Sequence, residues 1–122
     1  MERERVLGNL TSGDIFHAEG PEFPSLICIV VSVSENQIEA RTVTNQAVFH
    51  FDRRTGVSMR RTSTCTIDSV IPLPIDIHNA LLGLDRKFRL EHRPDRHKLT
   101  DEEKEALIFV ADFYPKNRLP SE

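Results

Sequence analysis

The chain has 122 residues, 39% of them hydrophobic and 29% charged, with a formal net charge of -3. That length holds one ordinary domain that needs neither disulfides nor metal to bury a core, and the composition excludes a disordered or fibrous chain. The acidic balance excludes coating of nucleic acid or of an anionic membrane through the overall field, so any such binding needs a local basic patch.

Residues 1–10, MERERVLGNL, read as a charged, flexible leader that lacks the apolar stretch of a signal peptide. The longest apolar run, LICIVV, is far too short to cross a bilayer, so no membrane is expected and the expected location is the cytoplasm. TSGDIFHAE sets a turn before a first strand near residues 14 to 19, which GPEFP interrupts. From Ser25, SLICIVVSVS predicts a second strand with Ile27, Ile29, Val31 and Val33 on one apolar face. ENQ turns the chain, IEARTVT alternates as a third strand, NQ turns it again, and AVFHF is a fourth with Ala47, Phe49 and Phe51 on one side. DRRTG leads into VSMR, where Val57 and Met59 continue the Phe49 and Phe51 face while Ser58 and Arg60 point outward. TCTIDSVI, with Cys65, Ile67 and Ile71 on one side, is the last strand.

Short antiparallel strands in a meander predict a small antiparallel β-barrel or curved sheet over residues 11–72, because closing the sheet removes edges that would otherwise aggregate. The strand order and length are similar to those of SH3-like small barrels; the resemblance is one of pattern and implies no functional residue. PLP marks a change of architecture. From Asp76 as N-cap, Ile77, Leu81, Leu84 and Phe88 recur at helical spacing and predict a helix over residues 77–90, or a shorter one ending at Gly83, since glycine weakens a helix by about 1 kcal/mol relative to alanine. EHRPDRHK reads as a linker. TDEEKEALIFVADFYP opens on a capping box, Thr100 with Glu103, carries acids in its first turn and stops at Pro115. Its broad apolar face, Ala106, Phe109, Val110 and Phe113 widened by Leu107 and Tyr114, must be covered by the barrel, by the preceding helix or by a partner. The expected fold class is therefore α+β: a small barrel or curved sheet, then one or two C-terminal helices, with residues 73–122 packed on the barrel in a single domain.

Chemical motifs are few. His17 and Glu19 spell the H-x-E of zinc deaminases, but the P-C-x-x-C which that chemistry also needs does not follow. His92, Asp95 and His97 surround a proline that spoils helical presentation of a metal site. His50 or His78 would serve as general base only if the fold brought one of them to Cys28 or Cys65, and buried thiols are the plainer reading of those cysteines. With no Gly-rich phosphate loop, G-x-S-x-G elbow or helical H-E-x-x-H, the sequence predicts no catalytic residue, metal or cofactor.

Two surfaces remain. HFDRRTGVSMRR concentrates Arg53, Arg54, Arg60 and Arg61 which, with Arg41 on an outer strand face beside Glu39 and Val43, would form a basic patch for nucleic acid or another anion. The alternative is a well-built turn, with Asp52 and Gly56 shaping it and arginines keeping its tip soluble; interleaved aromatics for single-strand recognition are missing. A second basic stretch, residues 85–98, is neutralised by the DEEKE that follows it. Phe113, Tyr114, Pro115 and Leu119 form a candidate partner surface at the C-terminal tail. The leading expectation is a non-enzymatic interaction module for another protein, ahead of nucleic-acid binding through residues 53–61 and, third, a cysteine/histidine enzyme. Nothing in the residues fixes an oligomeric state.

Overall fold

The β-branched run after Ser25 forms the centre of the sheet. In the computed structural model, which describes residues 2–21, 23–58, 64–90 and 99–118, β2 (Phe23–Val33) lies between β1 (Ile15–Gly20) and β3 (Gln37–Thr42). β4 (Val48–Asp52) flanks β3 and β5 (Thr66–Ser69) flanks β1, so the antiparallel order is β4-β3-β2-β1-β5. Phe16 of β1 and Phe51 of β4 meet edge to face with ring centroids 5.3 Å apart, although two strands separate their own. Only a strongly curled sheet permits that contact. The two outer strands are drawn together at one end by residues 56–58: Phe51 pairs with Ser58, Val57 pairs with Thr66, and the Ile67 amide donates to the Gly56 carbonyl at 2.8 Å. The result is a five-stranded antiparallel half-barrel followed by two C-terminal helices, the expected α+β architecture.

The register at this closure differs from the expected one. Ser58 is buried and Val57 is exposed, the inverse of the predicted faces, while Met59 lies outside the described residues. Gly56, at φ 77, reverses the chain before the strand pattern resumes, and a one-residue change of phase turns every following side chain to the other face. β5 ends at Ser69, so Ile71 leaves the apolar face predicted for it.

Alternation along the strands makes two cores. Phe16, Ala18, Cys28, Val30, Ile38, Ala40, Phe49, Phe51 and Ile67 fill the inside of the half-barrel. The leader expected to be flexible contributes to this core: residues Glu2–Gly8 form α1, and Leu7 and the following Leu10 are buried within it. Charge had masked a short apolar anchor. The outer face of the sheet, Ile15, Ile29 and Val43, is covered by Leu81 and Leu84 of α2 (Ile75–Leu90) and by Ala106, Val110 and Tyr114 of α3 (Asp101–Lys116). The broad apolar face of α3 is therefore largely consumed by the sheet and by α2.

α2 runs unbroken through Gly83. α3 begins with the predicted capping box, Thr100 Oγ1 accepting from the Glu103 amide at 3.1 Å and Glu103 Oε1 from the Thr100 amide at 2.9 Å. Lys87 Nζ also donates to Glu103 Oε1 at 2.8 Å, tying the end of α2 to the start of α3. The helix does not stop at Pro115 but continues to Lys116. Proline removes only one amide there, in the last turn, and the Asn117 amide closes the end on the Tyr114 carbonyl at 3.0 Å.

Candidate functional site

The arginines singled out in the sequence do not converge on one open surface. Arg41 is turned onto α2, where its guanidinium forks onto Asp85, Nε to Oδ1 at 2.9 Å and Nη2 to Oδ2 at 2.7 Å. Gln46 Nε2 donates to the same Oδ1 at 2.9 Å and to the Val43 carbonyl at 2.9 Å. Burial pushes the Asp85 carboxyl up, but bonds from Arg41 and Gln46 and the charges of Arg41 and Arg89 outweigh it and hold the carboxyl below the usual aspartate range. The hydrogen bond to Asp85 likewise raises Arg41. Arg41 is thus a clamp between sheet and helix, not a free anion contact.

Arg53 donates from Nη1 to the Ser34 carbonyl at 2.6 Å and from Nη2 to the Gly8 carbonyl at 2.9 Å. It joins its loop to the β2–β3 turn and to the end of α1. Asp52 accepts at Oδ1 from the amides of Arg54 (2.8 Å) and Thr55 (2.9 Å), the predicted turn cap, and the Thr55 and Arg54 amides lower its carboxyl. Arg54 alone of the described hairpin arginines presents an exposed side chain; Arg60 and Arg61 lie outside the described residues.

The C-terminal candidates divide in the same way. Tyr114 is fully buried, so it belongs to the core and not to a partner surface; burial first, then the nearby Cys28 and Asp68, push its hydroxyl up. Phe113 is half-buried and meets Tyr114 edge to face at 5.7 Å, Pro115 is exposed, and Leu119 lies outside the described residues. Both cysteines are buried inside the half-barrel, and burial pushes the Cys28 thiol up, so the pairing of a thiolate with His50 or His78 does not arise. His50 instead sits 3.2 Å from Glu39.

Two other features stand out. The end of the β5–α2 connector and the first residue of α2 hold Ile71 and Ile75 at 39% and 73% exposure, with Pro72 and Pro74 between them also exposed and only Leu73 packed against the outer core. On the outer sheet face, His17 Nδ1 lies 2.6 Å from Asp68 Oδ1 and His17 Nε2 lies 2.9 Å from Ser25 Oγ. The imidazole is buried under the Tyr114 ring, stacked at 5.2 Å, whereas Ser25 is exposed. In the sequence His17 belongs only to H-x-E, and no local motif joins it to Ser25 and Asp68, which lie far from it along the chain.

Among the described residues, no group of three or more histidine, cysteine or acidic residues is placed to hold a metal, and no helix is long and apolar enough to cross a membrane. Comparison with protein-family models, with curated proteins and with solved structures returns no match.

Proposed function

We propose that this chain is an SH3-like interaction module that binds another protein in the cytoplasm. The observation that carries the reading is the Ile71–Ile75 connector. With α1 and the two C-terminal helices covering both sheet faces, this segment keeps two large β-branched side chains exposed, one on either side of Pro72 and Pro74. Proline fixes φ and removes the amide donor, so the segment is stiff and poor in donors, and a partner that orders it loses little chain entropy. An aromatic-lined groove is the surface that such a segment fits. The binding surface therefore moves from the expected tail to the connector. The nucleic-acid reading is weakened by the engagement of Arg41 and Arg53 within the fold.

The test is co-purification from nuclease-treated native lysate with the wild-type chain and an Ile71→Ser, Ile75→Ser variant, whose fold is checked by its melting temperature because Ile71 is only 39% exposed. A discrete protein held by the wild type and lost by the variant supports the reading. Retention unchanged by the substitutions, or only nuclease-sensitive material, overturns it.

A further inference from the structure

His17, Ser25 and Asp68 come from three adjacent strands and meet through two departures from regular pairing. His17 stands opposite Ile27 in the β1–β2 ladder, so Ser25, two residues along β2, is its diagonal neighbour on the same face. Across β1, His17 pairs with Ser69 and Ala18 with Ile67, leaving Asp68 as the extra residue of a β-bulge. A bulge bends its strand and re-aims a side chain. Here it brings the Asp68 carboxylate under Nδ1.

The hydrogen-bond roles follow from the donor inventory. For a neutral imidazole facing an ionised carboxylate, which only accepts, the tautomer that fits carries its proton on Nδ1 and donates it to Asp68 at 2.6 Å. Nε2 is then left with its lone pair, and the contact at 2.9 Å is the Ser25 hydroxyl donating to Nε2. This is the arrangement of an oriented base acting on a hydroxyl nucleophile. Its support is built from the fold: Tyr114 stacks on the imidazole, Ser69 Oγ donates to the Asn117 carbonyl at 2.7 Å and holds the end of α3 against β5, and Arg118 Nε lies 3.7 Å from Asp68 Oδ2. Arg118 in turn forks onto Glu19, at 3.2 Å from each carboxylate oxygen, so its guanidinium is already engaged by carboxylates.

We propose that Ser25 is a nucleophile that takes the acyl group of small carboxylic esters, with His17 as its base and Asp68 as the residue that positions His17. The Ser25 oxygen bonds to the carbonyl carbon as its proton passes to Nε2, and the carbonyl π pair moves onto oxygen. Collapse of that adduct breaks the carbon–alkoxy bond, and the leaving alkoxide takes the proton from Nε2. Water then attacks the acyl-serine, giving a proton to Nε2, and Ser25 leaves with that proton restored. Ester and water become acid and alcohol with no change in oxidation state. A neutral ester suits a group whose guanidinium is already taken by carboxylates, and a small acyl group suits a serine that opens directly to solvent.

The test uses the full chain and a fluorophosphonate probe, read by intact mass and peptide mapping. The expected result is one adduct, on Ser25, in which a phosphorus–oxygen bond replaces phosphorus–fluorine and fluoride departs. Ser25→Ala should abolish it while the chain stays folded, with a melting temperature lowered only by the lost bond to Nε2. Asp68→Asn keeps the shape but allows the wrong imidazole tautomer. It should cut the maximal labelling rate at least tenfold and leave the half-saturating probe concentration unchanged, a split that a general loss of structure does not give. Where His17→Gln fails to fold, Asp68→Asn carries the test. No adduct, an adduct on another residue, or Ser25 labelling at the wild-type rate in Asp68→Asn overturns the proposal.

Discussion

Arg41→Met should expose how much of the contact between sheet and helices depends on one ion pair. The Asp85 side chain is 6% exposed and that of Arg41 18%, and removing one partner of a buried pair typically costs about 3–5 kcal/mol because the other charge is left uncompensated. The lower end applies, since Arg89 Nη1 stays 4.0 Å from Asp85 Oδ2 and Gln46 keeps its bond. A loss of about 3 kcal/mol corresponds to roughly 10 °C in melting temperature for a domain of this size. The sign with pH is fixed by the carboxyl. In the wild type the folded Asp85 lies below the ordinary aspartate value, so its stabilisation is present above about pH 4 and is lost as pH falls through the lower folded value. Without Arg41 burial is opposed far less, the folded carboxyl rises, and the variant gains on the wild type as the solution is acidified. Urea titrations at neutral pH and near pH 3 should therefore show a large gap that narrows with acid. Replacing both partners, Arg41→Met with Asp85→Leu, should recover most of the loss. A gap below 1 kcal/mol at neutral pH, or one that does not change with pH, would refute the reasoning.

Four further outcomes are expected. Gly83→Ala should raise stability by about 1 kcal/mol, since the helix already accepts the position and nothing lies within 4 Å of an added Cβ. Gly20→Ala should lower it by about 1–3 kcal/mol in denaturant titration, because a Cβ there would run into the Thr64 carbonyl oxygen, a backbone atom that cannot rotate away. Leu7→Ala should cost about 2–5 kcal/mol, measured in the same way, although it lies in a segment that reads as a charged leader. Cys28 and Cys65 should react with a thiol reagent only at the rate of unfolding, followed by absorbance with and without denaturant.

The elements that declared themselves in the sequence are those whose periodicity is carried by side chains that end up buried. β2 and β4 alternate because one face fills the half-barrel, and Thr100 with Glu103 announces α3 because the cap is a local contact. Faces failed where the backbone changes phase. Gly56 inverts the Val57 and Ser58 assignment, and α1 has no periodic signal because Leu7 and Leu10 are too few to set a period among the charges around them. The arginines were readable as a cluster and unreadable as a surface: proximity along the chain places Arg53 and Arg54 in one loop, but their partners, Gly8 and Ser34 for Arg53 and Asp85 for Arg41, are distant in sequence.

The same physics explains why the serine–histidine–aspartate group left no trace in the sequence. Its members are contributed by strand pairing, and strand pairing has no fixed spacing, unlike the i and i+4 positions of a helix. The one irregularity on which it depends, the bulge at Asp68, has no glycine to mark it; only the partner residues, His17 opposite Ser69 and Ala18 opposite Ile67, reveal the extra position. Bulges of this kind are costly to a ladder and are retained where they aim a side chain. Moving Asp68 into register by deleting one residue of the bulge should restore regular β1–β5 pairing while taking the carboxylate away from Nδ1. A chain so altered that still folds, but labels at Ser25 more slowly than the wild type, would separate the strand's structural role from its aim.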